Sequence, residues 1–514
     1  MQTIKTSVGI FLRLALLLGI ALLAFAGRAR AQWPTWAADC TNNAVPNSVV
    51  GGITWKPAAC QEFNEAPAQA MDANKVAWAY DTCTAPCGEG NNEIEQYCPP
   101  PGYTGGVPAG CPTTFSATTN TEYVDGSGHL IIQAINNGVN NSGTWFSARV
   151  KSEQIENFKY GRIEASVQLP DTTNEGLWPA WWSLGTSIDQ GVSWPTCGES
   201  DFMEVWSPSV NNGPGTGKNK STIHTAVTGG SGLQPNGTFT FPGGQANDTA
   251  FHQYGIIWSA NMMQFYVDNA AQPFYIVTTS DLSANDVWPF NAQIFVLLNM
   301  AVGGTLGGTP GASTPNPAVE MVDYVRQYTA TVPAPNLGTP PSITVTAGEG
   351  APANMSTFTP TGTGYLYLTC TTNAPKASCA LTTNTTNSHV FNLGAAGSLT
   401  VTANTTSNAW LPRLLDPRMW NRPVQIGVPA LLTFLILLLS LRRARVSPGF
   451  GYGLALGSLV LVAVAIAGCN SGGTSGGGGG GTTPGLWSIT LNAFDEGNTT
   501  GVADATTNIA LTVN

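Results

Sequence analysis

The sequence predicts an all-β protein, and three observations carry that expectation. Glycine (59) and proline (35) are abundant, while charged residues make up only 10% of 514, far below the usual quarter. Apolar runs are short, rich in β-branched and aromatic residues, and separated by turn residues, as in Leu130-Ile131-Ile132-Gln133-Ala134 and Gln264-Phe265-Tyr266-Val267-Asp268. Long amphipathic helical patterns are absent. This is the composition of an extracellular strand-and-turn protein. A net charge of −10 argues against nucleic acid as a partner.

Residues 1–31 read as a secretory signal peptide. Lys5 and Arg13 precede an apolar run from Leu14 to Ala26, and Ala29-Arg30-Ala31 offers a small-x-small cleavage site. An uncleaved anchor is the alternative. Residues 32–334 form the largest unit, and some 300 residues of short strands suggest an antiparallel sandwich of the jelly-roll type. Within it, Gly161 to Leu169 alternates apolar and polar, as a strand with one solvent face should. Cys40, Cys60, Cys83, Cys87, Cys98 and Cys111 crowd into one region and allow three bridges in any of 15 pairings. Cys197 is the odd one and reads as a buried thiol. Zinc at Cys83 and Cys87 lacks a second ligand pair at finger spacing.

A Pro-rich linker follows at 335–341, then a Thr/Asn-rich segment at 342–423 that reads as part of an immunoglobulin-like sandwich, with Cys370 and Cys379 placed for a local disulfide. Residues 424–469 hold two apolar stretches, Ile426–Leu441 and Phe450–Gly468, around Arg442-Arg443-Ala444-Arg445. They read as a transmembrane hairpin with its basic turn in the cytoplasm. A buried core hairpin is the alternative. A Gly-rich linker spans 470–484, and residues 485–514 supply two strand patterns that would complete the interrupted sandwich. Cys469 follows a run that resembles a lipoprotein processing site.

One strand stands apart. Glu199-Ser200-Asp201-Phe202-Met203-Glu204 carries three carboxylates, although strands avoid Asp and Glu because burying an unpaired carboxylate is costly. Alternation puts Glu199 and Asp201 on one face and Glu204 on the other. A β-bulge around Phe202-Met203 would absorb the extra residue and bring all three together. Two carboxyls flanking a glycosidic bond are what its hydrolysis requires, one attacking the anomeric carbon and the other protonating the leaving oxygen. A calcium site is the competing use of such a cluster. The surroundings favour sugar: Trp178, Trp181, Trp182, Trp194, Trp206 and Trp288 offer flat indoles on which sugar faces stack. One of Trp181 and Trp182 belongs to the core, since adjacent strand residues face opposite ways.

The run Trp194-Pro195-Thr196-Cys197-Gly198-Glu199-Ser200-Asp201-Phe202-Met203-Glu204 resembles the active-site strand of glycoside hydrolase family 16 in its bulged form. Similar blocks occur in order across residues 60–330, among them Gly90-Asn91-Asn92-Glu93, Phe146 to Ser152, Gly176-Leu177-Trp178-Pro179-Ala180 and Thr222-Ile223-His224. The resemblance implies Glu199 as nucleophile, Asp201 as its assistant and Glu204 as acid/base in a retaining double displacement. It puts Asn91, Asn92, Arg149, Trp178, Trp182, His224 and Trp288 in the substrate cleft. It requires no cofactor, and offers structural calcium at Glu62 and Asp323. Within the family the motif is similar to the laminarinases, endo-β-1,3-glucanases acting on β-1,3- or mixed-linkage glucan. Ser200 departs from the aliphatic residue usual there, and the insert from Cys83 to Cys111 is long. The C-terminal module resembles those on secreted acidobacterial proteins. The expected molecule is an exported, surface-held monomer anchored through 424–469. The other readings are a galactan (agarose or carrageenan) hydrolase, a transglycosylase, and a non-catalytic glucan-binding protein.

Overall fold

A computed structural model describes residues 33–406 and 481–514, apart from 66–67, 88–89, 228–229, 232–233, 284 and 351. The expected signal peptide, the apolar pair at 424–469, Cys469 and most of the Gly-rich linker lie outside the described residues. Among the described residues no helix is long and apolar enough to cross a membrane.

The longer strands of the N-terminal unit are β1 (Ile53–Gln61), β2 (Leu130–Asn136), β3 (Arg149–Lys151), β4 (Gly161–Gln168), β5 (Leu177–Gly185), β6 (Glu199–Glu204), β7 (Lys218–His224), β8 (Asn236–Thr240), β9 (His252–Ser259), β10 (Met262–Val267), β11 (Tyr275–Thr278), β12 (Ile294–Val302) and β13 (Ala318–Ala330). They form two sheets. One runs β8-β7-β6-β5-β12-β3, and the other β11-β10-β9-β4-β13-β2, with β1 also paired to β13. This is the sandwich that the strand-and-turn composition predicts.

Every second residue of each strand fills the space between the sheets. Ile163, Ala165, Val167, Tyr254, Ile256 and Trp258 come from one side, and Trp181, Phe202, Ile223, Val296 and Leu298 from the other. Each of the larger of these side chains contributes about 1.5–3 kcal/mol on burial. The polar face of β4 is a correction to the expected solvent face, for Arg162, Glu164 and Ser166 are all buried. Glu164 accepts from the hydroxyls of Tyr266 (2.5 Å) and Tyr324 (3.3 Å), and the Arg162 guanidinium lies 4.1 Å from the Tyr328 ring. Alternation marks which side differs; it does not say whether the polar side meets water.

The N-terminal cysteines pair as neighbours: Cys40–Cys60, Cys83–Cys87 and Cys98–Cys111. Cys370 pairs with Cys379, and Cys197 is buried and unbridged.

A second sandwich follows, with β14 (Ile343–Val345), β15 (Met355–Phe358), β16 (Tyr365–Thr372), β17 (Ser378–Thr382), β18 (Val390–Asn392), β19 (Leu399–Asn404), β20 (Gly485–Asp495) and β21 (Ala505–Val513). One sheet is ordered β14-β21-β20-β16-β18 and the other β15-β19-β17. They enclose a separate core that includes Leu368, Val401, Leu491 and Ile509. The chain leaves this sandwich after β19 and returns before β20 at the same place. Thr406 N–H donates to the Thr482 hydroxyl (2.8 Å), and Thr482 N–H donates to the Thr406 carbonyl (2.8 Å).

The two sandwiches touch through β10 and β11. Met262 packs with Tyr367 and Val390, Gln264 Nε2 donates to Glu496 (3.0 Å), and Thr279 donates to the Tyr367 hydroxyl (2.8 Å).

Candidate active site

Strand β6 is placed by a glycine. Gly198 has φ +86°, and a Cβ there would meet Pro289 at 2.7 Å, so the tight entry into the strand excludes other residues. From Glu199 onward the register is regular until Asp201, which pairs with Trp182 of β5 and Thr222 of β7. It then slips, and Glu204 pairs with Ala180 and Lys220. Glu199 pairs with His224. Thr222, Lys220 and His224 are alternate residues of β7 and share a face, so their partners Glu199, Asp201 and Glu204 share one too. The bulge that the spacing demands is therefore present, while Phe202 and Met203 both enter the core. Ser200 is buried behind the strand, its carbonyl accepting from the Ser183 hydroxyl (3.3 Å).

His224 bridges the first two acids, with Nε2 at 3.1 Å from Asp201 Oδ2 and 3.3 Å from Glu199 Oε1. Trp178 Nε1 donates to Glu204 Oε1 (3.1 Å). Burial pushes all three carboxyls up; for Glu199 and Glu204 the charge of Asp201 adds to it, bringing Glu204 to about 8. His224 opposes this at both glutamates, and the Trp194 indole opposes it at Glu199 by donating a hydrogen bond. Such a site holds one carboxyl protonated beside another kept ionised by its donors.

The aromatic residues divide as follows. Trp181 is fully buried and meets Phe202 edge-on at 5.2 Å, whereas Trp182 lies on the carboxylate face. Trp182 Nε1 donates to Asn299 Oδ1 (2.7 Å), and Asn299 Nδ2 donates to the Tyr97 hydroxyl (3.3 Å). The same hydroxyl accepts from Arg149 (3.3 Å), whose guanidinium lies 4.6 Å from the Tyr97 ring and 5.5 Å from the Trp182 ring. Tyr97 comes from the disulfide-framed insert, so that segment supports the cleft floor. Asn91 instead bonds Glu93 and holds the neighbouring turn, its carbonyl accepting from Thr305 N (2.8 Å); Asn92 lies beside it in the left-handed region (φ 66°). Trp288 rests against Phe290 at 5.1 Å, on the edge of the core.

Glu62 does not fit a calcium ligand. Both of its carboxylate oxygens accept from Arg326, at 2.7 Å each, while Asp323 is half-buried with its carboxyl pushed up by burial. Three residues on the cleft face escaped the sequence reading: Lys220, Asn299 and Tyr97. Lys220 had a signal in the alternation Lys220-x-Thr222-x-His224, and Asn299 lay in the family-like block Leu298-Asn299-Met300-Ala301-Val302-Gly303-Gly304.

Residues 113–316 match the family model described as Glycosyl hydrolases family 16. A beta-glucanase of Rhodothermus marinus is 32% identical over 212 residues, covering 40% of this chain and 68% of that protein. The chain belongs to glycoside hydrolase family 16. A second relative, glucan endo-1,3-beta-glucosidase A1 of Niallia circulans, is 30% identical over 286 residues, 52% of this chain and 37% of that one. A keratan-sulfate endo-1,4-beta-galactosidase of Sphingobacterium multivorum is 31% identical over 216 residues, 41% of this chain and 47% of that one. The chain thus spans less than half the length of these last two proteins. Among solved structures, an endo-beta-1,3-glucanase from Pyrococcus furiosus is 30% identical and covers 56% of this chain and 99% of its own, with a TM-score of 0.45.

Proposed function

We propose that the protein is a retaining endo-β-glucanase that hydrolyses β-1,3- or mixed β-1,3/1,4-glucans. The observation that carries this is the bulged β6, which presents three carboxylates on one face, with His224 beside Asp201 and the Trp178 indole on Glu204. Glu199 attacks the anomeric carbon while Glu204, protonated because burial and Asp201 raise its proton affinity, delivers that proton to the leaving oxygen. The glycosyl–Glu199 ester is then opened by water, from which Glu204 takes a proton back. Asp201, held by His224, keeps Glu199 in line. Glucan as substrate is supported by the Rhodothermus and Niallia relatives. The Sphingobacterium relative favours a galactan as the second reading.

Export and surface attachment through 424–469 belong to the same proposal. Four disulfides support an oxidising compartment, and the apolar runs at 14–26, 426–441 and 450–468 support a leader and an anchor. The two-sheet C-terminal unit supports the immunoglobulin-like reading.

The full chain incubated with laminarin, lichenan, agarose and carrageenan tests the reading by reducing-sugar release, with Glu199→Gln alongside. Cleavage of laminarin or lichenan, lost in the variant, is expected. Cleavage of agarose or carrageenan alone would move the substrate to galactan. Full activity in Glu199→Gln would remove it as the nucleophile.

A further inference from the structure

Lys and Arg together number only 20 in this chain, and one of them stands beside the acid/base candidate. Lys220 pairs across the strands with Glu204 and shares its face with Thr222 and His224. It is half-buried, and its ammonium lies 5.4 Å from the Trp206 ring. That indole is itself fixed: Trp206 is buried and its Nε1 donates to the Val210 carbonyl at 2.8 Å. Cation–π attraction to a fixed ring holds the charge in place without neutralising it. Among the described residues no carboxylate forms an ion pair with this ammonium.

The groups facing Glu204 can be named strand by strand. Its own strand brings Asp201 and Glu199, both acidic. Strand β7 brings Lys220 and His224, β5 brings the neutral Trp178, β12 brings the neutral Asn299, and β3, beyond β12, brings Arg149. Two permanent positive charges thus share this face, and Lys220 is the one on a strand adjoining β6; His224 is charged only when protonated.

We propose that Lys220 is a positioning residue for the reaction, a cation seated on Trp206 that sets the proton affinity of Glu204 and Asp201. The inference rests on the hydrolase reading above. The same charge opposes the effect of burial at both carboxyls: at Asp201 it is the counterweight, and at Glu204 it adds to His224 and the Trp178 indole. Removing it must raise both proton affinities. The acid limb of the rate profile, where Asp201 ionises beside Glu199, then moves to higher pH. The alkaline limb, where Glu204 loses its proton, moves the same way.

The test compares wild type, Lys220→Met and Lys220→Arg as full chains. With laminarin, the kcat/KM profile of Lys220→Met is expected to shift upward by about 0.5–1 pH unit. It should be several-fold slower than wild type on the acid side and faster on the alkaline side, while Lys220→Arg follows wild type. A crossing of the two curves is something that damage to packing does not produce. In parallel, carboxyl ¹³C NMR titration follows Glu204 without substrate, its signal assigned by its loss in Glu204→Gln. An upward shift in Lys220→Met supports the proposal. Superimposed titrations, or a rate lowered equally at every pH, overturn it. If wild type cleaves no glucan, the hydrolase reading fails, and the carboxyl titration still decides the role of Lys220.

Discussion

Asn299 holds two aromatic residues that come from different segments of the N-terminal sandwich, so replacing it by leucine should be felt in both stability and substrate affinity. Its side chain is buried, accepting from Trp182 at 2.7 Å and donating to Tyr97 at 3.3 Å. Leucine has a similar volume and no polar atom, so packing survives while the Trp182 indole N–H loses its partner and the Tyr97 hydroxyl, still bonded to Arg149, loses one of its contacts. An orphaned donor costs about 1–3 kcal/mol. A domain of about 300 residues loses roughly 2 °C of Tm per kcal/mol, so a fall of about 2–6 °C is expected by calorimetry. Trp182 is released, and Tyr97, which also anchors Arg149, loses one of its supports. KM for laminarin should therefore rise several-fold with kcat changed less, since the carboxylates are untouched. A variant with wild-type Tm and KM would refute the claim that this hydrogen-bond chain organises the cleft floor.

Trp178→Phe keeps an aromatic ring, though a smaller one, and removes the 3.1 Å donor to Glu204. A bond to a charged acceptor contributes about 1.5–3 kcal/mol, or roughly 1–2 pH units, so the alkaline limb of kcat/KM should move up by no more than that. A lowered rate with an unmoved limb would show that the bond does not tune Glu204. At the contact between the sandwiches, burial pushes Glu496 up to about 7 from an ordinary value near 4.5. A raised carboxyl stabilises the fold fully below 4.5, and that contribution is lost as pH rises through about 7. Glu496→Gln escapes the loss, so its Tm relative to wild type should climb between pH 4.5 and 8, by the equivalent of at most about 3 kcal/mol. A pH-independent difference would show that Glu496 is ionised at its ordinary value in the folded chain.

What could be read in advance follows from periodicity. A side-chain period of two made the one-residue excess between Asp201 and Glu204 visible, and the bulge with its shared face follows from that alone. The same period left Trp181 and Trp182 interchangeable until the opposing sheet chose one. It also mistook the polar face of β4 for a wet one, because Tyr266 and Tyr324 arrive from strands distant in sequence. Tyr97 and Asn299 are 202 residues apart, and no local pattern marks a partnership made by sheet order. Cysteine spacing showed that three bridges were available, while only the fold shows that each joins near neighbours in the chain.

The reciprocal bonds between Thr406 and Thr482 make the exit and re-entry of the second sandwich a single doorway. A segment whose ends are already joined adds little to the cost of folding around it, since doubling a loop's length costs only about 0.6 kcal/mol in closure entropy. Residues 407–480 can therefore be lengthened, shortened or exchanged with small effect on either core. A protease cutting between them would leave β20 hydrogen-bonded to β16 and the two halves travelling as one body. The doorway gives evolution a socket, in which residues 407–480 can be replaced without disturbing the N-terminal sandwich.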